Sequence, residues 1–212
     1  MATLAIDRAT DAPNAAVDFG GDIKAFTLEG CDARSGDWVL RLRDALSSFG
    51  LKFGDIDRFI VGQGPGSFAG TRSALAFVQA LALPSGKGVF GLPSPAGMTS
   101  AGGAVTVVGD ARRGLFWVVS YDGAIETSPL RLVAREELPG AVPQCGTVRT
   151  SDGERIAPVL AEVFGDRFER SQKPVAGIDF PSAARLLEVA REAPGSLAAE
   201  PLPIYLSPAV RA

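Results

Sequence analysis

The stretch Gly64-Pro65-Gly66-Ser67-Phe68-Ala69-Gly70-Thr71-Arg72 lies between the apolar run Arg58-Phe59-Ile60-Val61-Gly62 and the helix-like run Ser73 to Leu83. A glycine loop therefore joins a strand to a helix, the junction at which α/β folds commonly keep their function. Glycines permit tight turns at positive φ, and a helix start offers unpaired N–H groups, so an anion or a partner could dock there. The alternative is a tight βα turn with no further role.

Two phosphate motifs can be set against this loop. The pattern G-x-x-x-x-G-K-[ST] needs four residues between its glycines and a lysine after them; Gly64 and Gly70 enclose five, followed by Thr71 and Arg72. Gly64, Gly66 and Ala69 match G-x-G-x-x-G/A, but that fingerprint needs an acid about 20 residues on for the ribose. No Asp or Glu occurs between Asp57 and Asp110, and Pro65 removes one N–H from any cradle.

Working outward, Thr3 to Ile6, Ala15 to Phe19 and Ile23 to Leu28 read as short strands, the last two joined by the turn Gly20-Gly21-Asp22. Trp38, Leu42, Ala45, Leu46 and Phe49 recur at helical spacing, with Asp37 as N-cap and Gly50 as the stop. Strand 58 to 62, helix 70 to 83, strand Val89 to Leu92 and a short helix near Pro95 to Ala101 follow. Three strands and then alternating helix and strand make an RNase H-like lobe. Val105 to Val108 and Leu115 to Tyr121 flank Asp110-Ala111-Arg112-Arg113-Gly114 as a second hairpin, so residues 1–102 form one lobe and 103–212 a smaller one whose final residues can return to the first.

Beyond Asp122 the pattern weakens. Ile156, Val159, Leu160, Val163 and Phe164 form one helical stripe and Ala183, Leu186, Leu187 and Ala190 another; Leu202 to Leu206 reads as a final strand, and Pro139 to Pro143 and Pro194 to Pro203 read as connectors.

At 212 residues the chain can bury about 70% of its unfolded surface. Hydrophobic content of 46%, charged content of 21% and a net charge of −3 describe a globular chain with no global field to draw in nucleic acid. The complete lack of histidine removes Ser-His-Asp and Cys-His nucleophile systems, histidine metal ligands and the commonest general base. Cys31 and Cys145 are far apart, without metal or redox spacing, and are expected as buried reduced thiols of a cytoplasmic protein, with a disulfide as the alternative. The opening Met1 to Ile6 meets Asp7 and Arg8 too soon for a signal peptide, and prolines break the longest uncharged stretch, Gly88 to Gly109, so no membrane segment is expected.

The helix from Ser73 to Leu83 has only Ser73 and Gln79 as polar residues. A helix lying on a sheet buries one face, so its other apolar face must meet either the chain's own second lobe and C-terminal helices or another protein. The second alternative is the one we pursue.

Four blocks resemble the TsaB (YeaZ) family of tRNA threonylcarbamoyladenosine biosynthesis subunits. They are Leu4-Ala5-Ile6-Asp7-Arg8-Ala9-Thr10, Gly64 to Arg72, Asp110-Ala111-Arg112-Arg113-Gly114, and Ile204-Tyr205-Leu206. The glycine block is the most specific; Arg8, Leu115 and Ser207 depart from the family pattern, and a His-Ser-Glu segment is missing around Ser35-Gly36.

The resemblance implies an actin/Hsp70/sugar-kinase-like α/β fold of two RNase H-like lobes, the second reduced. It further implies a cytoplasmic, non-catalytic subunit that pairs with TsaD, with TsaE and a homodimer as further associations and tRNA met only through the complex. Helices 37 to 49 and 70 to 83 would form the interface, through Trp38, Leu42, Phe68, Arg72, Leu75, Phe77, Val78 and Gln79. Arg72 would anchor a partner carboxylate or face solvent. No metal and no cofactor is implied for this chain alone, with ATP admitted in the complex. In relatives that bind ATP an Asp and a hydroxyl-rich turn face phosphate and magnesium; Asp7, Thr10 and Asp110 are the residues here that a rival reading, a small ATP-dependent phosphotransferase or ATPase, would use.

Overall fold

Three short strands open the chain, β1 (Ala2–Asp7), β2 (Asn14–Phe19) and β3 (Asp22–Thr27). The β2–β3 turn is made by Gly20 and Gly21 at φ 65 and 97, conformations that glycine adopts without a steric penalty. In the computed structural model, residues 1–28, 36–168 and 180–206 are described. Helix α1 (Asp37–Ser48) ends where Gly50 takes φ 75. Its N-cap is Gly36, so Asp37 stands in the first turn, where its charge suits the helix dipole but its side chain makes no cap. Strand β4 (Arg58–Gly62), helix α2 (Phe68–Ala82) and strand β5 (Gly88–Leu92) follow, with a 3-10 turn over Ser94–Met98.

These strands form one sheet in the order β3-β2-β1-β4-β5, antiparallel on the β2–β3 side and parallel from β1 to β5. Every residue of β1 is buried, because the central strand is covered on both faces. Leu4, Ile6, Val17, Phe59 and Val61 meet Trp38, Leu42, Leu46, Leu75 and Val78 of α1 and α2. Strand alternation turns Ala5, Ala16 and Ile60 to the opposite face. There helix α5 (Ala183–Glu192) runs along β1 and β2, and the backbone N–H of Ala183 donates to Asn14 Oδ1 at 2.7 Å.

The chain divides into two units, Met1–Gly97 with Ser182–Ile204, and Met98–Pro181 with Tyr205–Ala212. Helix α5 (Ala183–Glu192) thus belongs to the first unit, where it supplies cover for the second face of that sheet.

In the second unit β6 (Ala104–Arg112), β7 (Leu115–Asp122), β8 (Ile125–Ala134) and β9 (Thr147–Arg149) form a sheet in the order β8-β7-β6-β9. Short helix α3 (Leu138–Ala141) and helix α4 (Gly153–Phe164) close one face over Val108, Phe116, Val118, Val133 and Val148. The Pro139 to Pro143 region expected as a connector therefore contains a helical turn, begun by a proline in its first turn.

Two further expectations need correction. Leu202 to Leu206 is not a strand: Pro201 and Pro203 lack the N–H that a ladder requires, and only Ala198 bridges Gly91. Cys145 is exposed and not buried, while Cys31 lies outside the described residues, as does Ser207. Among the described residues no helix is long and apolar enough to cross a membrane.

Candidate functional site

The glycine loop and helix α2 form the best-defined junction of the first unit. Ser67 caps the helix: its Oγ accepts from the Gly70 N–H at 3.2 Å, and its carbonyl accepts from the Thr71 N–H at 2.9 Å. The Ser67 N–H itself donates to the Ala9 carbonyl at 2.6 Å. Gly64 donates to Ser94 Oγ at 3.0 Å and accepts from the Ser94 N–H at 2.9 Å.

Two of the glycines are there for close approach of one backbone to another. A Cβ on Gly66 would stand 2.0 Å from the Ala9 carbonyl oxygen, and one on Gly70 would stand 2.0 Å from that of Arg8. The loop thus seats directly on the turn that follows β1. The N–H groups of Gly64, Ser67, Gly70 and Thr71 are satisfied within the protein.

Asp7 lies at the end of β1 with no solvent exposure. Its Oδ1 accepts from the Ala9 N–H at 2.9 Å, while Oδ2 is buried without a hydrogen-bond partner. Burial pushes the carboxyl up to about 6, against the smaller opposing influences of the Ser94 hydroxyl and the Ala9 N–H. Thr10 is half-buried, its Oγ1 accepting from the Ala12 N–H at 3.4 Å. Arg8 is neither a solvated residue nor a free cation in the turn: it is 2% exposed, and its guanidinium donates to Ser73 Oγ at 2.5 Å and lies over the Trp38 ring.

Asp110 belongs to the second unit. Its Oδ1 accepts from the Arg112 N–H at 2.7 Å, and its Oδ2 stands 3.4 Å from the Arg112 guanidinium and 3.7 Å from that of Arg155. Among the described residues no group of three or more Cys, Asp or Glu is placed to hold a metal ion.

The residues expected at an interface separate into two sets. Trp38, Leu42, Leu75 and Val78 are buried in the core of their own unit, which corrects their assignment to a partner-facing surface. Phe77 is half-buried, its ring meeting Trp38 and Phe53 edge-on at 4.9 and 5.5 Å between centroids. Phe68, Arg72 and Gln79 are exposed, and so are Ala76, Ala80 and Leu83. Positions 68, 72, 76, 79, 80 and 83 fall on one helical stripe. Phe68 is 58% and Leu83 83% exposed, and the Arg72 guanidinium lies over the Phe68 ring at 4.9 Å. The half-turn of sequence that decides which apolar side is inward is not readable from a helix apolar all round; the exposed pair of alanines marks the outer side.

A mixed sheet with β1 at its centre, a glycine loop seated on the β1 turn and a second, smaller unit with its own mixed sheet define an α/β protein of two units. Residues 39–135 match the family described as TsaD, tRNA N6-adenosine threonylcarbamoyltransferase. Over 127 residues the chain is 34% identical to the tRNA threonylcarbamoyladenosine biosynthesis protein TsaB of Escherichia coli, covering 55% of this chain and 54% of that protein. Over 145 residues it is 35% identical to an uncharacterized protein of Mycobacterium tuberculosis, covering 65% and 67% of the two chains. The match thus spans about half the length of the Escherichia coli relative. Its fold is that of YeaZ from Pseudomonas aeruginosa, with a TM-score of 0.76 at 21% identity, over 97% of this chain and 99% of that one. The chain belongs to the TsaB (YeaZ) family.

Proposed function

We propose that this chain is a non-catalytic subunit of the machinery that makes threonylcarbamoyladenosine in tRNA, and that it binds and supports TsaD. The observation that carries the reading is the exposed stripe of α2, from Phe68 through Ala76 and Ala80 to Leu83, on a helix whose other side is already committed to its own core. Small residues let a partner helix approach closely, and Phe68 with Arg72 offers an aromatic and a guanidinium anchor of the kind that dominates interfaces. The internal use of the Gly64, Ser67, Gly70 and Thr71 N–H groups favours this reading over an ATP-dependent phosphotransferase. The similarity to TsaB of Escherichia coli supports a place in tRNA threonylcarbamoyladenosine biosynthesis, and the match to the TsaD family is in keeping with TsaD as the partner.

The test is co-purification of the tagged chain with TsaD, together with the threonylcarbamoyladenosine content of tRNA. Phe68→Asp and Ala76→Arg place charge in the stripe without entering the core; each is expected to lower retrieval of TsaD by tenfold or more, on the scale of about 1.4 kcal/mol per tenfold. Undiminished retrieval by both variants, with both folded, would reject the reading.

A further inference from the structure

The segment that follows α5 lies along the parallel edge of the first unit's sheet. Ala198 and Gly91 exchange both of their backbone hydrogen bonds, at 2.9 and 3.0 Å. Further along, Gln63 grips the segment twice: its carbonyl accepts from the Ile204 N–H at 2.8 Å, and its side-chain amide donates to the Leu202 carbonyl at 2.8 Å. Leu202 stands between Pro201 and Pro203, whose rings restrict the backbone to extended conformations and hold that carbonyl ready.

Gln63 is a buried polar residue, 8% exposed, and its own N–H donates to the Leu92 carbonyl at 2.9 Å. Its side chain lies flat across Gly91, where a Cβ would come within 2.4 Å of the amide carbon. The next residue, Gly64, begins the glycine loop, and the Ile204 carbonyl oxygen stands 3.6 Å from where a Cβ of Gly64 would be. The same Gly64 holds Ser94 from both sides. A continuous set of contacts therefore runs from residues 198–204 through Gln63 and Gly64 to the start of α2.

We infer that Gln63 is a positioning residue through which residues 198–204 act as a strap, fixing the glycine loop and with it the exposed Phe68–Arg72 turn. With the strap closed, the loop has one arrangement. With the strap released, Gly64 loses its neighbour and the loop opens locally while the sheet persists, since loops open at a far smaller free energy than core strands.

Hydrogen exchange on the full-length chain tests this from both ends of the contact. Gln63→Glu keeps the shape but cannot donate to Leu202, and it sets a carboxylate against that carbonyl. Ile204→Pro deletes the N–H that reaches the Gln63 carbonyl and leaves Gln63 untouched. Both variants are expected to speed exchange at the Gly64, Ser67 and Gly70 amides about tenfold, with Ile60 in β4 unchanged. Wild-type protection at those three amides in folded Ile204→Pro would overturn the inference. Should Gln63→Glu lose protection uniformly through unfolding, Ile204→Pro decides. The readout involves no partner, so its failure is distinct from failure to retrieve TsaD.

Discussion

The guanidinium of Arg8 lies 4.4 Å from the centroid of the Trp38 ring, and both residues are almost fully buried, at 2% and 3% exposure. One stack thus ties the turn after β1 to α1, while the same guanidinium bonds to Ser73 of α2. Trp38 is met on another side by the Phe77 ring, so three elements converge on one indole. Trp38→Ala removes the platform of the cation and the edge contact together. The expected cost is about 3–5 kcal/mol of unfolding free energy, to be read from urea denaturation; a loss below about 1 kcal/mol would show that the indole is not the hub of this joint.

Gly70 gives a second expectation at the same joint. Helix interiors ordinarily favour alanine over glycine by up to about 1 kcal/mol. Here a Cβ would stand 2.0 Å from the Arg8 carbonyl oxygen, a backbone atom that cannot swing aside. Gly70→Ala should therefore destabilise by about 1–3 kcal/mol, opposite in sign to its helix propensity, whereas Gly86→Ala, where nothing lies within 4 Å, should show only the smaller strain of its φ of 62. Equilibrium denaturation of the two variants side by side checks the contrast.

Local chemistry in the sequence was sufficient where each element carried its own signals. The β2–β3 hairpin, α1 with Gly50 behind it, β4 and the start of α2 all have periodicity bounded by turn residues. Strand β8 escaped reading because Pro129 interrupts it and its exposed edge position leaves few apolar residues; β9 has only three residues, Thr147–Arg149. At the candidate site, the glycine string announced a tight turn into a helix but not that Gly66 and Gly70 seat against the backbone of Ala9 and Arg8. Arg8 and Gln63 look like surface residues in a one-dimensional reading, and their burial comes from contacts with Trp38, Ser73 and Leu202, far away in the chain. Which side of α2 faces outward was equally out of reach, because inward Val78 and outward Ala80 are both apolar.

The tip of the β6–β7 hairpin carries avoidable strain. Arg113 at φ 56 and Gly114 at φ 78 form its two-residue turn, and both are left-handed, as is the preceding Arg112 at φ 69. Glycine meets that requirement freely, but arginine does not. Arg113→Asn installs the Asn-Gly pair that such turns prefer, with a gain of about 1 kcal/mol. In a protein of this size that corresponds to a rise of about 2–4 °C in thermal midpoint, measured by calorimetry. An unchanged or lower midpoint would mean that the Arg113 side chain contributes as much as its backbone costs.

Asp7 sets a pH dependence whose sign is unusual for a carboxylate. Burial pushes its carboxyl up to about 6 from the ordinary 3.8, because the charged form loses more by leaving water than it gains from the Ala9 N–H and Ser94. The unfolded chain therefore releases this proton first. Its contribution to stability is fully present below about pH 4, falls as the pH rises toward 6, and is level above that, a loss on the order of 3 kcal/mol. Asp7→Asn retains an oxygen for the Ala9 N–H and cannot ionise. Urea denaturation should find the variant more stable than the parent at about pH 7.5, with that advantage vanishing at about pH 4. An advantage equal at both pH values would show that the amide helps by packing or hydrogen bonding, and that the buried carboxyl is not what the rising pH works against.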